Sequence, residues 1–378
     1  MKHFITSESV TEGHPDKLCD QISDSILDAC ISQDNKSRVA CECLATTWTV
    51  VIAWEITTNA NVDFEQVARE TIIKIWYDSE ERFFDGKTCE VQVLLHTQSP
   101  DIAMWVDTGG AWDQWIMYGY ATNETSSYLP ISIDLAHKLA RQLSKVRKDW
   151  TLNYIWPDGK TQVTVEYDGN KFVRIDAVVV SSQHSDKITQ EQLRKDVKEF
   201  VINPIVWNMV DDQTKYFINP TGNFHIWWPA WDTWLTGRKI IVDTYGWIWR
   251  HGGWAFSWKD PTKVDRSGAY IARYLAKNIV ASWVCDKCEI QIWYAIWVIQ
   301  PVSIYVECFW TEKIDLQKIV DAIKNNFDLS PKWIIEKLDL RKSIFAATAA
   351  YGHFGRDEFS REKLDSIDVF KKLLVIPV

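Results

Sequence analysis

Residues 13–17 bring together residue types that could act on an anionic ligand. The sequence Gly-His-Pro-Asp-Lys places an imidazole, a carboxylate and an ammonium at His14, Asp16 and Lys17. Pro15 is tolerated in the first turn of a helix, and the free N–H groups of a helix start can bind a phosphate. The segment is therefore either a phosphate-binding helix start or a capped helix start with charges on its surface.

A second group of charges lies between positions 238 and 265. It contains four cations and two carboxylates: Arg238, Lys239, Lys259, Lys263, Asp260 and Asp265. A polyphosphate needs this mixture, because cations bind its nonbridging oxygens and carboxylates hold magnesium. Gly252 and Gly253, in the same region, would let the backbone approach a ligand closely. The alternative is an ordinary solvated loop.

The overall charge and hydropathy exclude several classes of protein. A net charge of −9 argues against nonspecific nucleic-acid binding, which requires a basic surface. We find no basic and apolar leader at the N-terminus and no unbroken apolar run of about 20 residues. The expectation is a soluble, cytoplasmic protein.

The eight cysteines do not form the pattern of a disulfide framework in a chain of this length without a secretory signal. Cys285 and Cys288 form a lone CxxC with no second pair beside it. We interpret these residues as reduced structural thiols, with a zinc or redox site as the alternative.

The elements that must position the charged segments follow from periodicity and turn signals. Helices are predicted at 15–33, 62–76, 129–148, 190–205, 262–282 and 315–327. Strands are predicted at 38–58 around a turn at 46–48, at 89–96, at 161–167 and 171–182 around Asp168-Gly169, and at 287–298 and 302–310. Three blocks of strands and amphipathic helices predict an α+β fold of three similar domains, at 1–100, 109–226 and 230–370.

Taken together, the charged segments and several further motifs resemble one enzyme family. The motifs are SESVTEGHPDK (7–17), GAWDQ (110–114), GYATNE (119–124), TGRKIIVDTYG (236–246), HGGWAFSWKD (251–260) and AAYGHFGR (349–356). In order and spacing they resemble the S-adenosylmethionine synthetases. The resemblance implies three pseudo-equivalent domains and a homodimer or dimer of dimers with active sites between subunits. It also implies ATP and L-methionine as substrates, with two Mg²⁺ and one K⁺ per site.

In that family the methionine sulfur attacks C5′ of ATP, and the triphosphate leaves before it is cut to diphosphate and phosphate. The resemblance implies a catalytic set of His14, Lys160, Arg238, Lys259 and Lys263. It implies ATP binding by His14, Asp158, Lys160, Phe224, Asp232, Arg238, Lys239, Ala255, Lys259 and Lys263. For methionine the implied residues are Glu55, Gln98, Asp113, Asp232 and Lys263, for Mg²⁺ they are Asp16, Asp265 and Glu8, and for K⁺ the residue is Glu42.

Two further features are judged against the same family. Residues 96–108 match a mobile loop that closes over the active site and would exclude water from it. At position 223 the family usually has arginine, whereas this chain has Asn223. The loss of that guanidinium puts one nucleotide contact in doubt, although Phe224 could still stack on adenine.

Tryptophan is abnormally abundant, with 22 residues against 15 glycines. Trp112, Trp254 and Trp258 interrupt family motifs at positions where the family has glycine. Glycine sites often need positive φ or close backbone contact, which an indole does not provide. We infer that the source organism reads UGA codons as glycine and that these codons were translated as tryptophan. The alternative is a genuinely tryptophan-rich protein.

Two other functions compete with this interpretation. A phosphoryl-transferring ATP enzyme is disfavoured because the sequence contains no GxxxxGK[ST] loop and no kinase motif set. A noncatalytic nucleotide-binding relative is disfavoured by the intact charged residues, among them His14, Asp16 and Asp265. The tryptophans beside Lys259, if real, favour that second alternative.

Overall fold

The computed structural model describes residues 1–97, 110–224 and 233–374. Within these ranges the helices are α1 (Pro15–Gln33), α2 (Phe64–Lys74), α3 (Ile131–Lys148), α4 (Gln190–Asp196), α5 (Asn203–Val206), α6 (Val264–Ala281), α7 (Leu316–Asn326), α8 (Pro331–Lys337) and α9 (Ile367–Lys371). A π-helical segment, Val197–Ile202, joins α4 to α5. The described residues contain no helix long and apolar enough to cross a membrane.

The strands form three larger sheets and one short pair. They are β1 (Lys2–Val10), β2 (Arg38–Thr46), β3 (Thr49–Thr57), β4 (Asp78–Ser79), β5 (Phe84–Asp85), β6 (Glu90–His96), β7 (Trp115–Thr122), β8 (Ile155–Asp168), β9 (Lys171–His184), β10 (Lys215–Ile218), β11 (Trp234–Leu235), β12 (Lys287–Tyr294) and β13 (Ser303–Glu307). The sheet orders are β1-β8-β9-β10, β11-β2-β3-β6, β13-β12-β7 and β4-β5. The α+β class is confirmed.

Each of the three larger sheets contains one strand from a block of the sequence other than the block that supplies its remaining strands. Strand β1 joins the sheet of the central block, β7 joins that of the C-terminal block, and β11 joins that of the N-terminal block. The blocks therefore exchange strands in a cycle, which ties the three sheets together. The domain limits 1–100, 109–226 and 230–370 stay a prediction, since the sheets do not follow them.

Two hydrophobic cores lie beneath the helices. One packs α3 and the 190–206 helical segment on β8 and β9, around Leu139, Val178 and Val201. The larger core is shared by the N-terminal and C-terminal blocks and includes residues of α1 and α6 such as Ile22 and Leu275. Helix α1 is thus held between elements that are distant in the chain.

Most predicted elements are confirmed, with boundary shifts of a few residues. The hairpin turn at Asp168-Gly169 is present, with Gly169 at φ +60°. The 287–298 strand ends earlier, at Tyr294, and the 302–310 strand covers Ser303–Glu307. Strands β1 and β7 and helix α8 were not predicted. Phe4 on β1 is 56% exposed, so this strand lacks the regular buried alternation that marks a strand in sequence.

Among the described residues, nine tryptophans adopt positive φ, between +60° and +109°: Trp48, Trp54, Trp76, Trp150, Trp247, Trp258, Trp283, Trp297 and Trp310. Side chains other than glycine enter this region at a cost of about 1–2 kcal/mol per residue. Several of these indoles project into solvent, as Trp310 does at 95% exposure. All nine side chains are exposed or partly buried, so the penalty that they share is that of the backbone conformation.

Candidate active site

His14 precedes α1 as its N-cap, with φ −62° and ψ 132°. Its Nδ1 accepts a hydrogen bond from the Asp16 N–H at 3.2 Å, which leaves Nε2 buried and without a partner among the described residues. Burial lowers the pKa of His14 well below its usual range, and the nearby cations Lys239 and Lys160 act in the same direction. The imidazole is therefore neutral, and because Nδ1 is the acceptor its proton lies on Nε2.

Asp16 is fully buried in the first turn of α1 and holds the segment that contains the first pair of cations. Its carboxylate accepts from the Leu235 N–H at 3.2 Å and from Lys239 Nζ at 2.7 Å. Arg238 Nε lies 3.7 Å from the same carboxylate and its side chain is 47% exposed. The two predicted ATP-binding cations therefore sit directly beside the helix start.

Strand β8 brings two further predicted residues to this point. The start of β8 lies against the turn before α1, because any Cβ at Gly13 would come within 2.3 Å of the Pro157 carbonyl oxygen. Asp158 is fully buried there and both carboxylate oxygens lack a hydrogen-bond partner among the described residues. Burial raises the pKa of Asp158 to about 7, against the lowering effect of Lys160. His14, Asp16, Asp158, Lys160, Arg238 and Lys239 form what we call the helix-start group.

A second set of predicted residues surrounds the start of α6. Lys259 donates to Asp265, whose other oxygen, Oδ1, is buried and unpartnered in the described part of the chain. Lys263 donates to Asp260 at 2.6 Å. Burial lowers the pKa of Lys259, and Asp265 opposes this effect. We call Lys259, Asp260, Lys263 and Asp265 the lysine-pair group.

Helix α1 connects the two groups through residues that were not predicted. Asp20 and Asp24 follow Asp16 at four-residue intervals and so lie on one face of the helix. Asp20 accepts from the Gly237 N–H at 2.7 Å and from Lys17 at 2.9 Å. The Asp24 carboxylate accepts hydrogen bonds from both terminal guanidinium nitrogens of Arg266, each at 2.8 Å. The helix rise places Asp24 about 12 Å from Asp16 along α1, so one helix contacts the segments of both groups.

The carboxylates of both groups suit hard cations. Mg²⁺ prefers oxygen donors, and Asp158 and Asp265 supply three buried oxygens without hydrogen-bond partners among the described residues. Burial raises the pKa of Glu42 on β2, and the nearby Lys259 opposes this shift. A monovalent cation beside Glu42 would offset that burial. The residues present therefore fit the metal ions that the family resemblance implies.

The remaining predicted site residues are more dispersed. Glu8 is exposed on β1 opposite Gln162, Glu55 is half-buried on β3, and Phe224 is buried with its backbone N–H bonded to His184. Ala255 contacts the position of Gly237, since a Cβ there would lie 2.5 Å from the Ala255 Cβ. Asp113 lines a cleft of about 670 Å³ with Trp254.

Some predictions cannot be placed. Gln98, Asp232 and the loop at 98–108 lie outside the described residues. Asn223, where the family usually has arginine, accepts a hydrogen bond from Gln190 at 3.4 Å.

Indoles crowd the lysine-pair group. The Trp258 ring centre is 4.5 Å from Lys259 Nζ and that of Trp254 is 5.8 Å away. The Trp254 and Trp115 ring centres are 3.6 Å apart. The two indoles therefore lie against Lys259, which was predicted to bind ATP.

Comparison with known proteins decides the family. Models of the "S-adenosylmethionine synthetase" N-terminal, central and C-terminal domains match residues 2–100, 108–224 and 226–363. The chain belongs to the S-adenosylmethionine synthetase family. Proteins named S-adenosylmethionine synthase from Clostridium botulinum (strain Alaska E43 / Type E3) and Clostridium tetani are each 54% identical over 99% of this chain and 100% of their own length. The one from Finegoldia magna is 53% identical over 98% of this chain and 99% of its length.

Family membership confirms the resemblance seen in the motifs and the interpretation of the chain as a transferase. It favours the catalytic interpretation over a noncatalytic relative. The family motifs around His14 and Lys259 are the segments that form the two groups of site residues.

Proposed function

We propose that the chain catalyses the reaction of ATP, L-methionine and water to S-adenosylmethionine, phosphate and diphosphate. The observation that carries the proposal is the pairing of the two cation–carboxylate groups with an uncharged, unpartnered His14 Nε2 in a chain of this family. The thioether sulfur of methionine is nucleophilic without deprotonation, so no general base is required. Catalysis then rests on in-line placement and on stabilising the leaving triphosphate.

His14 is suited to the leaving oxygen. Because Nδ1 accepts from the Asp16 N–H, the neutral ring donates from Nε2. That N–H would bind the C5′ oxygen of ATP as negative charge develops on it when the C5′–O bond breaks. A neutral donor suits this role, since it is fixed before the reaction and needs no proton transfer.

The cations of both groups would bind the triphosphate. Lys239 and Lys259 are each paired with a carboxylate of their own group, Asp16 and Asp265. On ATP binding, the two ammonium groups would pair with phosphate oxygens instead of with these carboxylates. The carboxylates would then be available to hold Mg²⁺, which would neutralise charge on the phosphates. Asp16 and Asp265 are the residues we assign to Mg²⁺, with Glu8 as a further candidate and Glu42 for K⁺.

Methionine would enter from the cleft beside Asp113. This cleft reaches Trp254, which precedes the lysine-pair group. Asp113 and Glu55 would bind the methionine ammonium, with Gln98, Asp232 and Lys263 as the other assigned contacts. ATP contacts would include Asp158, Phe224 and Ala255.

We further propose that each active site combines groups from two subunits of a homodimer or dimer of dimers. Within one chain the electrostatic partners of His14 come from the helix-start group and its neighbour Lys17, and those of Lys259 come from the lysine-pair group and Arg266. These separate surroundings support a site that one subunit alone does not complete. Because ATP and free methionine are cytoplasmic metabolites, we place the enzyme in the cytoplasm.

Product analysis tests the reaction. With ATP, methionine, Mg²⁺ and K⁺, we expect S-adenosylmethionine, phosphate and diphosphate in equal amounts. Formation of ADP would support a phosphoryl transfer instead and contradict the proposal. The assay uses the chain with tryptophan and a matched chain with glycine at positions 254 and 258, so that an occluded site is distinguished from a wrong reaction.

Complementation tests the composite site. Asp16→Asn alters the helix-start group and Lys259→Met alters the lysine-pair group, so each variant alone should be inactive. Hetero-oligomers of the two variants contain some sites with neither change if the groups come from different subunits. Recovery of activity on dissociation and mixing is expected, and mixtures that stay inactive despite exchange of subunits would refute the shared site.

A further inference from the structure

Three cysteines meet at one end of the β12–β13 hairpin. Cys285 follows α6, Cys288 is in β12, and Cys308 directly follows β13. The register pairs Glu289 with Glu307, so one step further along the ladder sets Cys288 opposite Cys308. All three residues are buried and their Sγ atoms lie within 4.8 Å of one another. The fold therefore places a third sulfur beside the lone CxxC, that of Cys308, which lies 20 residues after Cys288.

The segments that carry the sulfurs are joined by hydrogen bonds. Thr311 Oγ1 accepts from the backbone N–H groups of Asp286 and Lys287 at 3.1 and 3.2 Å. The Lys313 N–H donates to the Val284 carbonyl at 2.9 Å. These bonds fix the loop after β13 against the residues before β12, so the cysteines converge without any covalent link.

The electrostatics of the cluster differ from those of the other cysteines. The thiols of Cys285 and Cys288 donate to the Cys308 sulfur and hold the pKa of Cys308 well below its usual range. Burial raises the pKa of Cys288, as it does for Cys30 and Cys89, and the pKa of Cys285 is also raised, so Cys308 is the cluster member that differs. A thiolate is the form of cysteine that binds metal, and a buried thiolate is stabilised by a cation.

Glu312, four residues after Cys308, is the candidate for a fourth donor, although its carboxylate is not among the ligand atoms that lie within 4.8 Å of one another. Glu312 is close enough to Cys308 that its charge opposes the lowering of that pKa. Its Oε2 atom is buried and has no hydrogen-bond partner among the described residues. Three thiolates and one carboxylate are donors that a tetrahedral Zn²⁺ accepts.

We propose that Cys285, Cys288, Cys308 and Glu312 form a structural zinc site that clamps the loop after β13 to the base of β12. Zn–S bonds of about 2.3 Å set the sulfurs about 3.8 Å apart. The three sulfurs therefore need an inward shift of less than about 1 Å each to close around the ion, and the Glu312 side chain would turn toward them to supply the fourth ligand. Metal binding would release the thiol protons to solvent.

Packed thiols and a disulfide are the competing interpretations. Packed thiols would bind no metal. A disulfide requires an oxidant that the proposed reaction does not supply. Zinc needs neither a redox partner nor an open coordination position, since a structural site is closed by four protein ligands.

Metal analysis of the full chain tests the proposal independently of S-adenosylmethionine synthesis. After dialysis in metal-free buffer, we expect one Zn²⁺ per chain. Replacement by Co²⁺ should give thiolate charge-transfer bands and the visible bands of a tetrahedral site. A wild-type chain without bound zinc, or Co²⁺ without thiolate bands, would overturn it. A mass lower by two hydrogens in the metal-free protein would show a disulfide and contradict it as well.

Matched variants locate the ion. Cys308→Ser should lose stoichiometric metal binding and the zinc-dependent rise in thermal midpoint, whereas Cys30→Ser, in the same hydrophobic core, should keep both. Glu312→Gln should weaken zinc binding and leave the thiolate bands in place, which excludes unfolding as the cause. Equal metal content in Cys308→Ser and wild type refutes the site, and so does equal loss in Cys30→Ser.

Discussion

Replacing exposed left-handed tryptophans by glycine should stabilise the protein. Trp247, Trp283 and Trp310 have φ of 69°, 69° and 61°, and their exposed fractions are 72%, 64% and 95%. Because they are exposed, their indoles add little burial that glycine would forfeit. What glycine removes is the strain of a side chain in the left-handed region.

The magnitude follows from two opposing terms. The left-handed conformation costs about 1–2 kcal/mol per residue for side chains other than glycine. Glycine lowers the free energy of unfolding by about 0.5–1 kcal/mol relative to alanine, because it has greater conformational freedom when unfolded. The net gain is about 0.5–1 kcal/mol per position, or about 1.5–3 kcal/mol for the triple variant if the distant sites act independently.

Urea unfolding followed by circular dichroism measures this gain. The matched control is Trp207→Gly, since Trp207 is 73% exposed but has φ −49° at the end of α5. The free energy of unfolding of the control should fall by about 0.5–1 kcal/mol, because glycine has more conformational freedom when unfolded and relieves no backbone strain at this position. A triple variant that is less stable than the parent, or that matches the control, would show that these positions do not favour glycine.

Four further outcomes are expected. Asp24→Ala should cost about 3–5 kcal/mol in unfolding free energy, because it leaves Arg266 buried without its partner; a loss below about 1 kcal/mol would contradict the connecting role of α1. Asp158 has a pKa raised to about 7, so the folded state retains a proton that the unfolded state loses near pH 4, and stability should fall as pH rises from about 4 to 7, by at most about 4 kcal/mol. Asp158→Asn should flatten this pH dependence, and an unchanged profile would refute the assignment. Trp258→Gly should uncover Lys259 and raise kcat/KM for ATP; no change would mean that the indole does not obstruct the site. Peptides from the organism's own protein should carry glycine mass at these positions and the codons should be UGA, whereas UGG codons or indole mass would disprove the decoding hypothesis.

Local patterns predicted the helices and hairpins well. The apolar spacing of α1 and the Asp168-Gly169 turn each depend on a few neighbouring residues, so both can be recognised in the sequence. The exchange of strands cannot be recognised in this way, because β1 pairs with β8 and Lys2 faces Asp168, a residue far along the chain.

The site was predicted in part. Motif resemblance located the charged residues, but not the connection between the two groups. Charged residues such as Asp20 and Asp24 are expected on the exposed face of an amphipathic helix, although their four-residue spacing after Asp16 is a signal that they share one face. Arg266, the partner of Asp24, lies 242 residues away, and Gly237, which donates to Asp20, lies 217 residues away, so only the fold reveals these pairings.

The cysteines illustrate the same limit. Cys285 and Cys288 gave a weak signal because nothing nearby in sequence completes a metal site. Cys308 joins them only when β12 and β13 pair. The pairing register of these two neighbouring strands, which the predictions at 287–298 and 302–310 left open, was the missing information.

An acid-quenched single turnover tests the central claim most directly. With enzyme in excess over ATP and with saturating methionine, sulfur attack on C5′ should form S-adenosylmethionine and intact triphosphate together, before phosphate and diphosphate appear. The glycine form at positions 254 and 258 is the enzyme of choice for this measurement, since its lysine-pair group is uncovered. ADP or free phosphate formed ahead of S-adenosylmethionine would contradict the account.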